Sequence, residues 1–439
     1  MTQHKTASQA QTNARLTALR LLENVIKRKR SMEEAMELEQ SFASLRSDDR
    51  AFARMLAATT LRYWGQINAI LDKCLNKPGP VDPFEAHLTL CLGVTQLLRM
   101  RIPSHAAIHE TVELCTHVRT SRSKGLVNAV LRKIDKQGQA LLQSVPLTVN
   151  IPDWLYAQWL EDYGEIEAPL IAQASLNQAP IDITVKKVEE IDFWRERLEA
   201  LQMPGGSLRL TQKTSIEDLS GYLDGAWWVQ DMAASLPVKI LDDVAGKRVL
   251  DLCAAPGGKT MQLAAAGAHV TALDRSSGRM RRLDENLKRT KLDKNVETVI
   301  ADALSWETKE KFDIVLIDAP CSATGTIRRH PDLLHLKTPQ DVEKLMALQA
   351  KILAQLPTLL KEGGMAVYAT CSLQKSEGEA QIDAFLAENK DFKRLPIEAE
   401  VFSGLETLIT AQGDLRCLPH HLTASGGMDG FFAARLVCI

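Results

Sequence analysis

Apolar positions recur at helical spacing through the first third of the chain. Leu16, Leu19, Leu22 and Ile26 fall on one face of a helix, because residues three and four apart share a face. The same spacing predicts helices over residues 14–26, 51–61, 84–100, 105–118 and 123–137. The front of the chain is therefore predicted to be an all-α domain.

Behind residue 238 the pattern changes to short apolar runs that alternate with amphipathic stretches. The runs predict strands over 248–252, 270–273, 296–300, 313–317, 365–371 and 430–436. The stretches between them predict helices over 258–266, 276–289, 339–360 and 377–388. This alternation is typical of a doubly wound, mostly parallel sheet of the Rossmann type.

A third pattern lies between these two. Residues 181–185 alternate apolar and polar side chains, a helix is predicted over 192–203, and a second strand over 207–210. Trp227 and Trp228 close this segment and either stack on a base or pack in a domain interface. The chain is thus predicted to have a helical domain at 1–145, a small α+β linking module at 146–235 and an α/β domain at 236–439.

Reactive side chains follow two of the predicted strands directly. The apolar run at 313–317 is followed by Asp318, then by Pro320, which has no N–H to donate to a sheet, and then by Cys321. A second strand ends in Cys371. Because parallel strands open their ligand crevice at their carboxyl ends, two thiols and one carboxylate are predicted to converge there if the strands are neighbours.

The loop after the first strand of the α/β domain is rich in glycine. Residues 251–260 read Asp-Leu-Cys-Ala-Ala-Pro-Gly-Gly-Lys-Thr, which lacks the first glycine of a phosphate-binding P-loop, since that position is Cys253. The glycine fingerprint of nicotinamide enzymes is also missing. A nucleoside-type ligand remains, with Asp274 predicted to bind a ribose and Asp302 an adenine edge, unless each carboxylate only caps a helix.

Composition and charge narrow the classes of function. The chain has 439 residues, 45% hydrophobic and 25% charged, without an apolar run of membrane-spanning length or a signal peptide, so a cytoplasmic protein is expected. Its eight cysteines form no Cys-x-x-Cys pair, which argues against a disulfide scaffold or a zinc cluster. The net charge is −2, but residues 1–150 hold 21 basic and 13 acidic side chains, a balance that suits contact with phosphate.

The helical front resembles the NusB family, a helical RNA-binding fold. Three segments carry the resemblance: Asp-Arg-Ala-Phe-Ala at 49–53, Leu-Arg-Tyr at 61–63 and Gly-Leu-Val-Asn-Ala-Val-Leu-Arg at 125–132. Together they imply that this domain meets RNA.

The α/β domain resembles the RNA cytosine-C5 methyltransferases, and with the NusB-like front the chain is similar to the bacterial 16S rRNA members nearly end to end. The motifs are the loop at 251–260, Asp-Ala-Pro-Cys-Ser-Ala-Thr-Gly at 318–325, Arg-Arg-His-Pro-Asp at 328–332 and Tyr-Ala-Thr-Cys-Ser at 368–372. The resemblance implies S-adenosyl-L-methionine as cofactor and no metal. The cofactor-binding residues that it implies are Cys253, Ala254, Ala255, Pro256, Gly257, Gly258, Lys259, Asp274, Asp302 and Asp318.

The same resemblance implies a reaction and its catalytic residues. A thiolate that adds to C6 of cytosine makes C5 nucleophilic. The family assigns attack to Cys371 and product release to Cys321, whereas the DNA enzymes attack with the Pro-Cys thiol; the residues alone leave that choice open. Asp318, protonated when engaged, is expected at N3 of the base. Cys253 is expected to pack rather than react.

The implied substrate is 16S rRNA, at cytosine 967, before the small subunit is fully assembled, with no DNA or membrane partner and a monomeric protein. Arg328, Arg329 and His330 either hold the RNA backbone or form a surface ion-pair cluster. One departure lies in the linking module, where Thr184 and Lys186 stand in place of the family's Arg and Asn.

Three rival functions stay open at this point. They are a non-catalytic RNA-binding or antitermination factor, a cytosine-C5 methyltransferase acting on DNA or on another RNA, and a nicotinamide dehydrogenase. The intact loop at 251–260 with Asp318, Cys321 and Cys371 counts against the first, the Thr-Cys motif against a DNA enzyme and the missing glycine fingerprint against the last.

Overall fold

The computed structural model describes residues 2–212, 215–241, 243–398 and 404–439, the first eleven of them by backbone alone. The chain divides into two compact units. The first contains the residues up to Leu176 together with a returning segment, Ile327–Lys337; the second contains Asn177–Thr326 and Thr338–Ile439. Among the described residues, no helix combines the length and the apolar character needed to cross a membrane.

The first unit is helical, as predicted. Its continuous part contains α1 (Thr2–Ile26), α2 (Met32–Leu38), α3 (Gln40–Ser44), α4 (Ser47–Arg62), α5 (Trp64–Cys74), α6 (Phe84–Leu98), α7 (Ser104–His117), α8 (Lys124–Gln143) and α9 (Asp153–Ser175). Helix α6 is buried on every side from Ala86 to Gln96, with α1, α4, α7 and α8 packed around it. A helix that is apolar all round forms the core of a bundle, because it leaves no face for water.

The returning segment, Ile327–Lys337, contains the short helix α14, numbered by its place in the chain (Leu333–Leu336). Asp332 accepts a hydrogen bond from the backbone N–H of Met32 at 3.0 Å, and the carbonyl of Arg328 accepts one from Arg62 at 2.8 Å. A ring nitrogen of His335 lies 2.9 Å from the carbonyl oxygen of Leu61. We call this segment the strap, because these hydrogen bonds join it to α2 and α4 of the first unit.

The strap changes the prediction for Arg328, whereas the alternatives for the half-buried Arg329 and the exposed His330 stay predictions. The Arg328 side chain is only 1% exposed, so it is neither a grip on an RNA backbone nor part of a surface ion-pair cluster. The sequence predicted a surface position for Arg328, because charged side chains are rarely buried without partners.

The linking segment of the second unit folds as a four-stranded antiparallel sheet with the order β2-β3-β1-β4. Its strands are β1 (Ile181–Val185), β2 (Leu201–Gln202), β3 (Leu208–Leu210) and β4 (Trp227–Val229), with α10 (Ile191–Arg197) between β1 and β2. The helix predicted over 192–203 is therefore too long. It ends at Arg197 because Leu201 and Gln202 pair with β3 as an edge strand.

The two tryptophans of β4 pack inside the second unit. Trp227 is fully buried and Trp228 is 2% exposed. Trp228 lies in the same apolar cluster as Met232, Val249 and Ile314, which joins the linking sheet to the large sheet. This burial favours the packing interpretation over stacking on a base.

The large sheet of the second unit is doubly wound and mostly parallel, as predicted. Its strands are β5 (Arg248–Leu252), β6 (His269–Asp274), β7 (Val296–Ile300), β8 (Phe312–Asp318), β9 (Leu360–Thr370), β10 (Phe392–Arg394), β11 (Leu415–Cys417) and β12 (Phe431–Cys438). The order is β10-β12-β9-β8-β5-β6-β7, and β11 pairs with β12. Strands β5 to β9 run parallel, while β12 is antiparallel to β9 and closes that side.

Two apolar clusters cover the faces of this sheet. The helices of the unit are α11 (Met232–Lys239), α12 (Gly258–Ala265), α13 (Ser277–Thr290), α15 (Pro339–Leu353), α16 (Leu356–Leu359) and α17 (Glu379–Glu388). The chain runs from β5 outward to β7 and then returns to β8 and β9 on the other side of β5. The point of reversal, between β5 and β8, is where a doubly wound sheet opens a ligand crevice at the carboxyl ends of its strands.

Candidate active site

The loop between β5 and α12 forms one wall of the crevice. Cys253 and Gly257 both have left-handed backbone conformations, with φ of 64° and 102°. A Cβ on Gly257 would also lie 2.9 Å from the Leu283 side chain, so glycine suits this turn on both counts. Helix α12 begins at the next residue, and its free N–H groups point toward the loop's concave side, as at any helix N-terminus.

Asp251 anchors this loop from below. Its Oδ2 accepts a hydrogen bond of 2.6 Å from the hydroxyl of Thr260 in α12, while its Oδ1 has no partner among the described residues. Burial raises the pKa of Asp251 to about 7, because a carboxylate without water is costly. Asp251 is fully buried, so it shapes the loop and does not face a ligand.

Asp274, at the end of β6, joins the same loop. Its two carboxylate oxygens accept from the backbone N–H of Ser276 at 2.9 Å and of Ala255 at 3.3 Å. Arg279 lies 3.4 Å from Oδ2, and its guanidinium also donates to the carbonyl oxygen of Ala255. The carboxylate thus supports the loop at 253–259 and the turn before α13, whose N-cap is Ser276 rather than Asp274. Binding of a ribose by Asp274 stays a prediction.

Asp302 is more remote. It follows β7, two residues beyond Ile300, which is the register partner of Asp274. The side chain is exposed, and its Oδ1 accepts from the backbone N–H of Leu304 at 2.9 Å, an arrangement that stabilises the local turn. Contact of Asp302 with an adenine edge stays a prediction.

Lys259 and Asp318 form an ion pair across the crevice. The ammonium of Lys259 lies 2.8 Å from Oδ2 of Asp318 and 4.8 Å from the ring centre of Phe431. The lysine side chain is 8% exposed and that of Asp318 33%. Lys259 is therefore not a solvated surface lysine, and the carboxylate that it holds keeps one side open to the crevice.

The two cysteines lie side by side. The Sγ atoms of Cys321 and Cys371 are 3.4 Å apart, within hydrogen-bond distance for sulfur, and no disulfide joins them. Their loops are joined by the N–H of Ala319, which donates to Ala369 at 2.8 Å, and by that of Gly325, which donates to the carbonyl of Cys371 at 2.9 Å. The convergence predicted from two strand ends is present because β8 and β9 are adjacent and parallel.

The environment distinguishes the two thiols. The pKa of Cys321 is raised well above its usual value, first by its hydrogen bond with Cys371 and then by burial. Cys321 therefore keeps its proton, and the two sulfurs share a hydrogen bond in which either thiol can be the donor. Burial also raises the pKa of Cys253 to about 12, which fits a packed and unreactive thiol.

A buried polar cluster that the sequence pattern did not predict lies next to the cysteines. It consists of Ser322, Thr324, Gln349, Ser372, Gln374 and Glu377. One signal was available, since the dipeptide Cys-Ser occurs at both strand ends, at 321–322 and 371–372. No sequence pattern indicated Glu377, whose carboxylate accepts hydrogen bonds from both serines.

These observations define a class of protein. A doubly wound sheet whose first crossover turns tightly at a helix N-terminus, with carboxylates on the neighbouring strand ends, is the framework of the S-adenosyl-L-methionine-dependent methyltransferases. The donor set fits that cofactor: the carboxylates of Asp274 and Asp318 suit its ribose hydroxyls and its positive charges, and the loop at 253–259 lets the backbone approach it closely.

Comparisons with known proteins identify the family within this class. The family model described as 16S rRNA methyltransferase RsmB/F matches residues 238–437, and that of the NusB family matches residues 12–136. A relative called ribosomal RNA small subunit methyltransferase B, from Serratia proteamaculans, is 35% identical over 408 residues, covering 89% of this chain and 90% of the relative. The chain belongs to the RsmB/F family of 16S rRNA methyltransferases.

Other similar proteins agree in length and fold. The ribosomal RNA small subunit methyltransferase B of Pseudomonas putida is 34% identical over 448 residues, covering 97% of this chain and 99% of the relative. The crystal structure of a protein called PH0851 superposes with a TM-score of 0.73 at 23% identity, covering 96% of this chain and 98% of that one. The likeness to PH0851 concerns the fold alone. The cofactor of this methyltransferase is S-adenosyl-L-methionine.

Proposed function

We propose that the protein methylates carbon 5 of a cytosine in 16S rRNA, cytosine 967, with Cys371 as the nucleophile, Cys321 assisting release and Asp318 at N3 of the base. The observation that carries this proposal is the separation of 3.4 Å between the two sulfur atoms, at the ends of adjacent parallel strands. A pair of thiols next to a half-open carboxylate suits addition to a pyrimidine ring. The names of the relatives support ribosomal RNA as the substrate.

The environment of the thiols supports Cys371 as the attacking group. With its pKa raised, Cys321 stays protonated, so in the proposed reaction its S–H donates a hydrogen bond to the sulfur of Cys371 once that sulfur is the attacking thiolate. That thiolate adds to C6, the new C–S bond pushes electrons to C5, and a proton at N3 balances the charge. Asp318 lies where it can carry that proton, steadied by Lys259. The bound cofactor supplies an electrophilic methyl group.

Release reverses the addition. The proton at N3 returns to the Asp318 carboxylate. The C5 proton then leaves to water, its electron pair restores the C5=C6 double bond, and the C6–S bond breaks with its pair returning to Cys371 as a thiolate. The S–H of Cys321 then donates a hydrogen bond to that departing sulfur, which is how we assign its assisting role. The cytosine has to be unstacked or single-stranded to reach Cys371.

The three-part division of the chain belongs to this proposal. Residues 1–145 hold the RNA, residues 146–235 link, and residues 236–439 carry the cofactor and the thiols. Cofactor-binding roles are proposed for the loop at 253–259 and for Asp274, Asp302 and Asp318. We also propose that the protein is a monomer that acts in the cytoplasm on 16S rRNA before the small subunit is fully assembled.

The test combines labelling with mapping. Purified protein is incubated with methyl-labelled cofactor and either naked 16S rRNA or small subunits, and the labelled base is identified and located. We expect 5-methylcytosine at a single position, and no product from Cys371→Ala. Product from Cys371→Ala at the wild-type rate would remove that residue as the nucleophile. Label on another base, or on DNA in preference to rRNA, would overturn the proposed reaction.

A further inference from the structure

Glu377 is a fully buried carboxylate behind the two thiols. It lies in the turn Lys375–Glu377, six residues after Cys371, and its residue is 0% exposed. Burial of a carboxylate is costly unless hydrogen-bond donors surround it. Its surroundings therefore indicate what the residue does.

Four donors meet the two oxygens of this side chain. Oε1 accepts from the backbone N–H of Ser322 and from Nε2 of Gln349, both at 2.9 Å. Oε2 accepts from the hydroxyl of Ser322 at 2.5 Å and from that of Ser372 at 2.6 Å. Ser322 follows Cys321 and Ser372 follows Cys371, so one carboxylate holds the residue next to each sulfur.

Further hydrogen bonds fix the position of the carboxylate itself. The hydroxyl of Tyr368, in β9, donates to the carbonyl oxygen of Glu377 at 2.8 Å. Gln349 also donates to the carbonyl of Pro320, the residue before Cys321, at 2.8 Å. The carboxylate is thus tied to the strand that carries one thiol and to the loop that carries the other.

We infer that Glu377 is a positioning residue that sets the separation of the Cys321 and Cys371 sulfurs by holding Ser322 and Ser372 at one point. This inference rests on the proposed function for its catalytic meaning, but the geometry that it explains exists without substrate. The carboxylate acts through the serines and touches no reacting atom.

The hydrogen-bond pattern predicts which substitutions matter. In Glu377→Gln the amide oxygen replaces Oε1 and keeps its two N–H donors. The new amide N–H groups donate to the serine hydroxyls, which turn their hydrogens to Oε1 of Gln374, 2.8 Å from Ser372 and 3.2 Å from Ser322. Glu377→Ala leaves the backbone N–H of Ser322 and the Gln349 amide without an acceptor and frees both loops.

The affinity for phenylarsine oxide reports whether the two sulfurs are held close together, because one arsenic atom bonds two neighbouring thiols at once. The As=O group and two S–H groups give two As–S bonds and one water, with no oxidant consumed. The full chain is titrated with this reagent. We expect tight binding by the wild type, affinity within about threefold for Glu377→Gln, and binding weakened roughly tenfold or more in Glu377→Ala, since preorganisation sets such affinities.

A matched control separates positioning from general loss of stability. Asp414 is also fully buried; its carboxylate accepts a hydrogen bond of 2.7 Å from Arg394 and, among the described residues, none from the cysteine loops. Asp414→Ala should lower the thermal stability while leaving the affinity for the arsenical unchanged. Equal affinity in Glu377→Ala and wild type, or equal losses in Glu377→Ala and Asp414→Ala, would overturn the inference.

Methyl transfer supplies the second measurement. We expect Glu377→Ala to lower kcat at least about tenfold while the dissociation constant for the cofactor stays unchanged, because only the thiols are displaced. If Glu377→Ala fails to fold, Ser372→Ala, which removes one donor, should weaken arsenical binding by a smaller factor, and wild-type affinity there would refute the inference. If the wild type shows no methyltransferase activity while Glu377→Ala still weakens arsenical binding, the proposed function is refuted and the positioning inference stands.

Discussion

The ammonium of Lys259 lies 2.8 Å from Oδ2 of Asp318, so the last residue of β8 is held by the first turn of α12. This ion pair joins the cofactor loop to the strand that leads to Cys321. The resemblance implied that Lys259 binds the cofactor, and the structure pairs its ammonium with Asp318.

Replacing Lys259 should lower the rate of methyl transfer more than it lowers the stability of the fold. In Lys259→Met the carboxylate of Asp318 loses its fixed orientation, and we expect kcat for methyl transfer to fall at least about tenfold, a part of the roughly 100- to 10,000-fold that a proton-transfer group contributes. The control is Lys361→Met, which removes an ion pair of 2.6 Å with Asp313 at the opposite end of the same strand. Similar losses in the two variants would show that the pair at Asp318 has no special role.

Replacing Cys321 should trap the intermediate. In Cys321→Ala the thiolate of Cys371 loses the hydrogen bond that helps it depart, so a protein–RNA adduct should accumulate. Denaturing gel electrophoresis with labelled rRNA measures it. Cys417→Ala, which alters a buried thiol in β11, should give no adduct. Adduct formation by the double variant that also lacks Cys371 would contradict the assigned roles.

A glycine behind the thiols should tolerate no side chain. A Cβ on Gly325 would lie 2.1 Å from the carbonyl oxygen of Gly430 and 2.8 Å from that of Cys371. We expect Gly325→Ala to lower the free energy of unfolding by about 1–3 kcal/mol, the usual cost of overpacking, and to slow methyl transfer. Urea denaturation measures the first effect.

Gly278, in α13, offers the opposite case. A Cβ there meets nothing within 4 Å and its φ is not left-handed. We expect Gly278→Ala to raise the free energy of unfolding by about 0.4–1 kcal/mol, because alanine restricts the unfolded chain. Equal stability of Gly325→Ala and Gly278→Ala would contradict the close packing described for residue 325.

The stability of the protein should depend on the proton of Asp251. Its pKa is raised by burial from the ordinary 3.8 to about 7 in the folded chain. Between these values the folded state holds a proton that the unfolded state has lost, so this contribution is complete below pH 3.8 and is lost as the pH rises to about 7. The expected slope for one such group is about 1.4 kcal/mol per pH unit.

Asp251→Asn removes that titration. Urea denaturation between pH 4 and pH 8 should show that the free energy of unfolding of the wild type, minus that of the variant, falls as the pH rises and levels off near pH 7. A difference that is independent of pH would mean that Asp251 is already ionised in the folded protein.

The sequence predicted the architecture because the pattern and the fold agree wherever one face of an element is buried. It did not reveal α9, since Gly164 has a non-helical conformation within it and Pro169 interrupts its amphipathic pattern. The helix over 192–203 was extended too far because two residues of edge strand carry little pattern of their own. The fold class was predictable because it depends on the longer helices and strands, whose hydrophobic patterns are clear.

The candidate site was predictable in part for a related reason. Cys321 and Cys371 end strands, and strand ends of a parallel sheet meet, so their proximity followed from topology. Glu377 was not predictable, because a carboxylate in a polar turn looks like a surface residue until its four donors are known. The burial of Arg328 was not predictable either, because a charged side chain is expected at the surface.

The strap has a consequence for biosynthesis. The first unit is discontinuous, since its final segment, Ile327–Lys337, is translated only after the whole of Asn177–Thr326. The hydrogen bond from Met32 to Asp332 and the contact of Leu61 with His335 therefore form late, when most of the second unit has left the ribosome. A nascent chain released before residue 337 has an unfinished helical unit, so the completion of this unit requires prior synthesis of the segment that carries Cys321.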